Sequence, residues 1–391
     1  MRTRMYRSSK SLELVLLILF AAGGGIISAR QDQGPSQNGA LHDPRIGSGE
    51  TILPRLEPAC SLLPAGGTCL EFDNGELQLL HVQDNVYMIG GAGANITVQI
   101  GDAAVMVVDT GVAEMSDKVI TAIRTLTDKP ILFIISTSMD DDHTGGNANL
   151  SQAGWALPNS SSNPIAEGQD IPDKTGLTLP AGAPILAHIN VLNRMSAPTG
   201  QKAPVSQNRW PTDTYETESW RLYNGEGVYI YHIPAAHTDG DSIVFFRRSD
   251  VVSTGDLFTA LGSYPVIDQK KGGSIDGFVD GLNQIIEILE PKENEEAGTY
   301  VIPGHGHICD RNDVVNYRDM VTIIRARIEA MVKDGMTLEQ VKAAKPTLDY
   351  DGLYGATTGP WTTDMFIEAV YRDLSQSKNH QRRAAGTGGG E

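Results

Sequence analysis

Ser138-Met139-Asp140-Asp141-Asp142-His143-Thr144-Gly145-Gly146-Asn147 closely follows the apolar run Ile131–Ile135. A buried-strand run thus opens into a turn dense in carboxylates, with one imidazole and a glycine pair behind it. Loops at strand ends carry side chains to a common rim, where sites are built. Alone, the three aspartates read as an acidic turn or a helix N-cap ahead of Gly145, and a lone histidine after a strand is more often structural than a ligand. Three further turns change that balance. Ala236-His237-Thr238-Asp239-Gly240-Asp241 follows an apolar run at 228–232, Ser253-Thr254-Gly255-Asp256 follows Val251-Val252, and Pro303-Gly304-His305-Gly306-His307 follows Tyr300–Ile302. Imidazoles and carboxylates together form a borderline-to-hard donor set suited to Zn, Fe or Mn.

Outward from these turns, short apolar runs at 77–82, 86–89, 96–100 and 104–108 are separated by Asp84-Asn85, a Gly- and Asn-containing stretch at 90–95, and Gly101-Asp102. That pattern predicts successive antiparallel strands; 131–135, 228–232, 243–246 and 300–302 are further strands. Ile275, Phe278, Val279, Leu282, Ile286 and Leu289 form a helical stripe, as do Tyr317, Met320, Val321, Ile324, Ile328 and Met331. Both stripes read as core faces. Gly335 ends the second helix, and Thr337 opens a shorter one with Glu339 and Gln340 in its first turn. The alternation of strands and helices predicts an α/β layered domain with mixed sheets. Residues 151–182, rich in Pro, Ser, Asn and Gly, read as a long loop of the kind that forms lids. His188 and His232 read as structural, and His307 as lying behind the site or exposed.

The 391 residues suffice for a large core, and a 20% charged, 40% hydrophobic composition excludes a mostly disordered chain. A net charge of −17 argues against nucleic acid as a partner. A single apolar segment, at the N-terminus, excludes a polytopic membrane protein. Arg2, Arg4, Arg7 and Lys10 precede the apolar stretch 14–27, and Ile27-Ser28-Ala29 offers a small residue for cleavage. This is the three-part pattern of a secretory signal peptide, an uncleaved anchor being the other reading. The expected organisation is a signal peptide over 1–29, an irregular linker over 30–75, one domain over 76–375 and a disordered tail over 376–391. The mature protein is expected to be periplasmic or secreted, without stable membrane association; its oligomeric state is left open. Three cysteines are too few for a disulfide scaffold; Cys60 and Cys69 could form a bridge or stay as thiols, with Cys309 free.

The four turns, with Val107-Val108-Asp109-Thr110-Gly111 ahead of them, resemble the five motifs of the metallo-β-lactamase superfamily, in order. The resemblance runs from about residue 77 to 374, with Asn85-Val86-Tyr87 and Asn95 as weaker marks of the opening strands. It implies an αββα sandwich, two mixed sheets flanked by helices, with a metal site at one edge. The second motif departs from the family pattern, His-x-His-x-Asp-His, because Ser138 and Asp140 stand where the first two histidines belong. By resemblance, Asp142, His143 and His305 form one intact site. His237 and the shared Asp256 form the other, with Asp140 in place of an imidazole. Asp109 is expected behind the ligands, bracing their loop, and Ser138, a poor ligand, beside them.

These expectations imply a metal-dependent hydrolase with a small-molecule substrate and one or two divalent ions, Zn foremost. The ion lowers the pKa of its water toward ~7, Asp142 orients the nucleophile, and an ester, thioester, lactone or amide, including a β-lactam, is cleaved. Against β-lactams, Asp256 stands where β-lactamases of the family carry Cys or Ser; an aspartate there is more like the glyoxalase, lactonase and thioesterase relatives. The added carboxylate of Asp140 shifts metal preference toward Mn or Fe. It therefore motivates a second reading, an iron-dependent oxidoreductase or oxygenase. A third is a non-catalytic binding protein whose metal site has decayed at Ser138 and Asp140.

Overall fold

A computed structural model describes residues 72–73, 76–155, 182–197, 202–291 and 298–386, with side chains to 376. The expected signal peptide, the pair Cys60 and Cys69, and most of the 151–182 loop lie outside these residues. The first sheet takes eight strands in chain order: β1 (Phe72–Asp73), β2 (Gln78–Gln83), β3 (Val86–Gly90), β4 (Ile96–Ile100), β5 (Val105–Val108), β6 (Ile131–Ile135), β7 (Ile185–His188) and β8 (Asp213–Tyr215). It is antiparallel through β5 and parallel from β5 to β8. The second sheet holds β9 (Glu218–Tyr223), β10 (Glu226–Ile233), β11 (Asp241–Phe246), β12 (Val251–Ser253) and β13 (Tyr300–Ile302), in the order β13-β12-β11-β10-β9. Only its β12–β13 pairing is parallel. Both sheets are mixed, as expected.

The helices are α1 (Ser116–Leu126), α2 (Asp141–Thr144), α3 (Asn147–Ala153), α4 (Ile189–Ser196), α5 (Ile275–Ile288), α6 (Arg311–Lys333), α7 (Leu338–Ala344), α8 (Asp351–Tyr354) and α9 (Thr363–Gly386). Strand alternation sorts side chains into layers. In β5, Met106 and Val108 join Val228, Ile230, Val244 and Phe246 in the core between the sheets. Val105 and Val107 face the other way, onto Val119, Ile123 and Leu150 of α1 and α3. A third core packs Ile243, Val252 and Val301 against Phe278, Leu282, Ile324 and Ile328 of α5 and α6. The layers are therefore helix, sheet, sheet, helix. The α5 and α6 stripes bury as expected, apart from the half-buried Val279 and Met331. Thr337 caps α7 in a reciprocal box with Gln340.

Three boundaries differ from the sequence reading. The first sheet already begins at β1, inside the stretch taken as linker, because Phe72 and Asp73 pair with Leu79 and Gln78. Ser151 to Ala153 close α3 rather than open a loop. Helix α9 runs past 376 to Gly386, where Gln, Lys, Arg and Ala favour helix and no proline intervenes. Strands β7, β8 and β9 and helices α1 and α4 were not singled out in the sequence. Strands of three or four residues are too short for a period-2 signal, and β9 is an edge strand that leaves Trp220 and Leu222 exposed.

Candidate metal centre

The parallel pairs β5–β6 and β12–β13 end at one edge of the sandwich. There the Ser242 N–H donates to the carbonyl of Thr137 at 2.9 Å, tying the sheets together. After β5 the chain turns through Asp109 in the left-handed region, φ 60°. After β6, Ser136, Thr137 and Ser138 are buried, and the chain enters the single turn of α2 with Asp140 at its N-terminal boundary. That turn separates the three aspartates. Asp141 points outward to Arg209, 2.6 Å away, while Asp140 and Asp142 turn toward the histidines. Two glycines let the loops close up. Gly255 sits at φ +52°, where a Cβ would lie 2.6 Å from Oγ1 of Thr137; at Gly304 it would lie 2.6 Å from Oδ1 of Asp256. Asn95 pins the His305 turn by donating to the carbonyls of Pro303 and Gly306, both at 2.9 Å.

All six expected ligands converge here, in two groups: Asp142, His143 and His305, and Asp140, His237 and Asp256. Within each, three donor atoms lie within 4.8 Å of one another. Asp256 spans both. Its Oδ1 lies 3.1 Å from Nε2 of His143 and 3.3 Å from Nε2 of His305, while its Oδ2 lies 3.7 Å from Nδ1 of His237. Asp142 Oδ2 is 3.3 Å from Nε2 of His305, and Asp140 Oδ2 is 3.6 Å from Nε2 of His237.

The donor set fits a divalent ion, and His143 shows why. Its Nδ1 lies 2.8 Å from Asp109 Oδ2. Asp109 is in turn held by the Thr137 N–H at 2.8 Å and the Thr137 hydroxyl at 2.7 Å. A carboxylate on Nδ1 fixes the ring and its tautomer and leaves the Nε2 lone pair free for a metal. That Nε2 is buried and has no hydrogen-bond partner among the described residues. A lone pair facing a carboxylate oxygen at 3.1 Å is satisfied only by a cation, proton or metal. Ser138 belongs to neither group; its hydroxyl accepts from the Asp140 N–H at 3.2 Å.

The electrostatics agree. Burial works against a charge on His143, but Asp256 and Asp109 outweigh it and hold its pKa well above the ordinary value. Burial likewise opposes charge on His237 and His305. Asp241 and Asp256 push His237 up to about 9, and Asp142 and Asp256 push His305 up to about 9. The hydrogen bond from His305 lowers Asp142. Asp256, which burial alone would raise, is held well below the carboxylate range by His143, His305 and His237. This is a strongly negative pocket that stabilises any cation placed in it.

The sequence reading missed Lys271. Its Nζ contacts Oδ1 of Asp140 and lies 3.2 Å from Oδ2 of Asp268. Burial opposes its charge, but these two carboxylates outweigh burial and raise its pKa. Lys271 is 131 positions from Asp140 and carries no motif, so only the fold brings the two together. His188 and His232 stack at 3.4 Å and bond to the carbonyls of Glu216 and Asp239, a structural pair as expected. His307 is exposed. Cys309 is buried and free.

A family model described as the metallo-beta-lactamase superfamily matches residues 89–305. No curated protein matches the chain. Among solved structures, the stereoselective inverting sec-alkylsulfatase from Pseudomonas sp. is similar, with a TM-score of 0.51 at 15% identity, over 75% of this chain and 49% of that one. The chain thus spans about half the length of the sulfatase, and the likeness is one of fold. A metallo-beta-lactamase from Pontibacter korlensis aligns with a TM-score of 0.44 at 14% identity, over 63% of this chain and 99% of that one.

Proposed function

The chain belongs to the metallo-β-lactamase superfamily, and from that premise we propose that it is an exported metal-dependent hydrolase acting on a small-molecule ester, thioester, lactone or amide. The observation that carries the proposal is the buried, unpartnered Nε2 of His143, aligned by Asp109 and facing Asp256. Asp142, His143 and His305 would hold a divalent ion, with Asp256 reaching across from the second group. When bound, such an ion polarises the scissile carbonyl and lowers the pKa of water toward ~7.

The protein's own groups do the rest. Asp109 keeps the proton on Nδ1 of His143, so that Nε2 presents its lone pair. Asp142, the most open of the acids in the two groups with its side chain 37% exposed, orients the attacking water. Low exposure of His143 and Asp256 keeps bulk water from weakening these interactions.

Zinc is the proposed metal. The iron reading was motivated by the extra negative charge of Asp140, and Lys271 offsets that charge. Retention of all three ligands of the first group supports a working site over a decayed one. The proposal of export rests on the basic N-terminus and the apolar stretch 14–27; N-terminal sequencing of protein recovered from outside the cytoplasm should begin at or near Arg30. Among the described residues no helix is long and apolar enough to cross a membrane.

The test is hydrolysis of a panel of esters, thioesters, lactones and β-lactams, with a secondary alkyl sulfate added because the sulfatase shares the fold. Zinc-loaded and chelator-stripped protein are compared. Turnover restored by zinc is expected. A loaded protein that cleaves nothing in the panel would sink the hydrolase reading.

A further inference from the structure

We propose that Lys271 is a built-in cation that stands in for a second metal ion, so that the chain takes one divalent ion, held by the first group, rather than two. The inference rests on the metal reading of the same site and concerns how many ions it accepts.

Lys271 is placed by construction. Asp268 caps the turn at Gln269–Lys271 by accepting from the N–H groups of Lys270 and Lys271, at 3.0 and 3.2 Å. That turn is bonded directly to the loop carrying His237. The Asp268 N–H donates to the His237 carbonyl at 2.9 Å, and the Asp239 N–H donates to the Lys271 carbonyl at 2.9 Å. Gly273 lets the two loops touch, since a Cβ there would lie 2.2 Å from the His237 carbonyl oxygen. The loop that supplies the second group's imidazole therefore also fixes the ammonium beside the second group's aspartate.

The donors tell the same story. In the second group, Asp140 gives Oδ1 to Lys271, and Asp256 turns Oδ1 toward His143 and His305 of the first. The hydroxyl of Ser138, where the family pattern has a histidine, is engaged by the Asp140 N–H. His237 is the group's single imidazole. A divalent ion there would share Asp140 and Asp256 with Lys271 and the first group, keeping one oxygen of each beside His237, and would meet a fixed positive charge, whose repulsion is strong in a half-buried setting. The first group has two imidazoles, and among the described residues no lysine or arginine pairs with Asp142, His143, His305 or Asp256.

The test is zinc stoichiometry and titration calorimetry on the chelator-stripped full chain, with circular dichroism to confirm folding. Wild type is expected to bind one ion in one step. Lys271→Met should add a second step, tightened at least ~10²-fold, and bring the content to two. Lys271→Arg, which keeps the charge, should stay at one. Asp140→Asn, which removes the ammonium's partner, should also stay at one, whereas a two-ion site would lose an ion. Two ions of comparable affinity in wild type, or one ion in folded Lys271→Met, would overturn the inference alone. No ion in wild type would overturn the metal reading with it.

Discussion

The two donor groups share Asp256 and sit on one edge, yet they are made differently. In the first, His143 is wholly buried and its ring is held from behind by Asp109, which Thr137 holds in turn. In the second, His237 is buried between Asp241 and Asp256, with each contact at 3.7 Å, and the carboxylate in front of it is taken by Lys271. One group is tightly braced and, among the described residues, has no lysine or arginine paired with it; the other is loosely braced and carries Lys271. Bracing behind a ligand sets its orientation and basicity, so the first group is the stronger metal site.

The sharpest test of that contrast is a pair of ligand deletions. His143→Ala should abolish metal binding, a loss of at least ~10³-fold, above the 10–100-fold typical of groups behind a ligand. It also removes one of the three hydrogen bonds on the buried Asp109 carboxylate, at a cost of about 1–3 kcal/mol, read by urea denaturation. His237→Ala should leave the metal content unchanged; loss of the ion in that variant would reverse the ranking of the groups.

Next in size is Asp109→Asn. It keeps the shape but removes the carboxylate on Nδ1, and should weaken zinc about 10–100-fold in calorimetry. An unchanged affinity would mean that the bracing does not matter.

Proton linkage comes third. His237 and His305 have pKa values raised to about 9 in the folded protein, against an ordinary 6.5. A raised histidine pKa adds stability that is fully present below 6.5 and fades as pH rises through about 9. Chelator-stripped protein should therefore lose stability across that window. Metal in the first group must displace the proton of His305, so zinc affinity should climb over the same range, with protons released on binding. Titrations in buffers of different ionisation enthalpy would show the release. A pH-independent affinity between 6.5 and 9 would contradict it.

The smallest effect is expected at Asn95. Its amide donates two hydrogen bonds to the His305 turn. Asn95→Ala should cost about 1–3 kcal/mol of stability and weaken zinc less than Asp109→Asn does. An equal or larger loss of zinc would place the bracing of the first group in its loops rather than in Asp109.

Much of the fold was legible because its parts are local. Runs such as Ile131–Ile135 and stripes such as Phe278, Leu282 and Ile286 declare their period over a few residues. The end of α9 was misjudged because a glycine-rich terminus was taken to extend back over residues that favour helix. The strands β7 and β8 were passed over because four and three residues hold too little pattern.

The candidate site divides along the same line. Motif order alone brought forward His143, His237, Asp256 and His305, since each follows a strand in a short, distinctive turn. It also set Asp140 and Asp142 apart from Asp141, through the spacing within one turn of chain. The sequence by itself determined the kind of donor set, because donor types and their local spacing are written in consecutive residues. The tertiary structure alone decided that Thr137 holds Asp109 behind His143, that Asp256 turns one oxygen to each group, and that Lys271 reaches Asp140. These are contacts between distant segments, set by how two sheets close on one edge, and no local pattern encodes the distance between them.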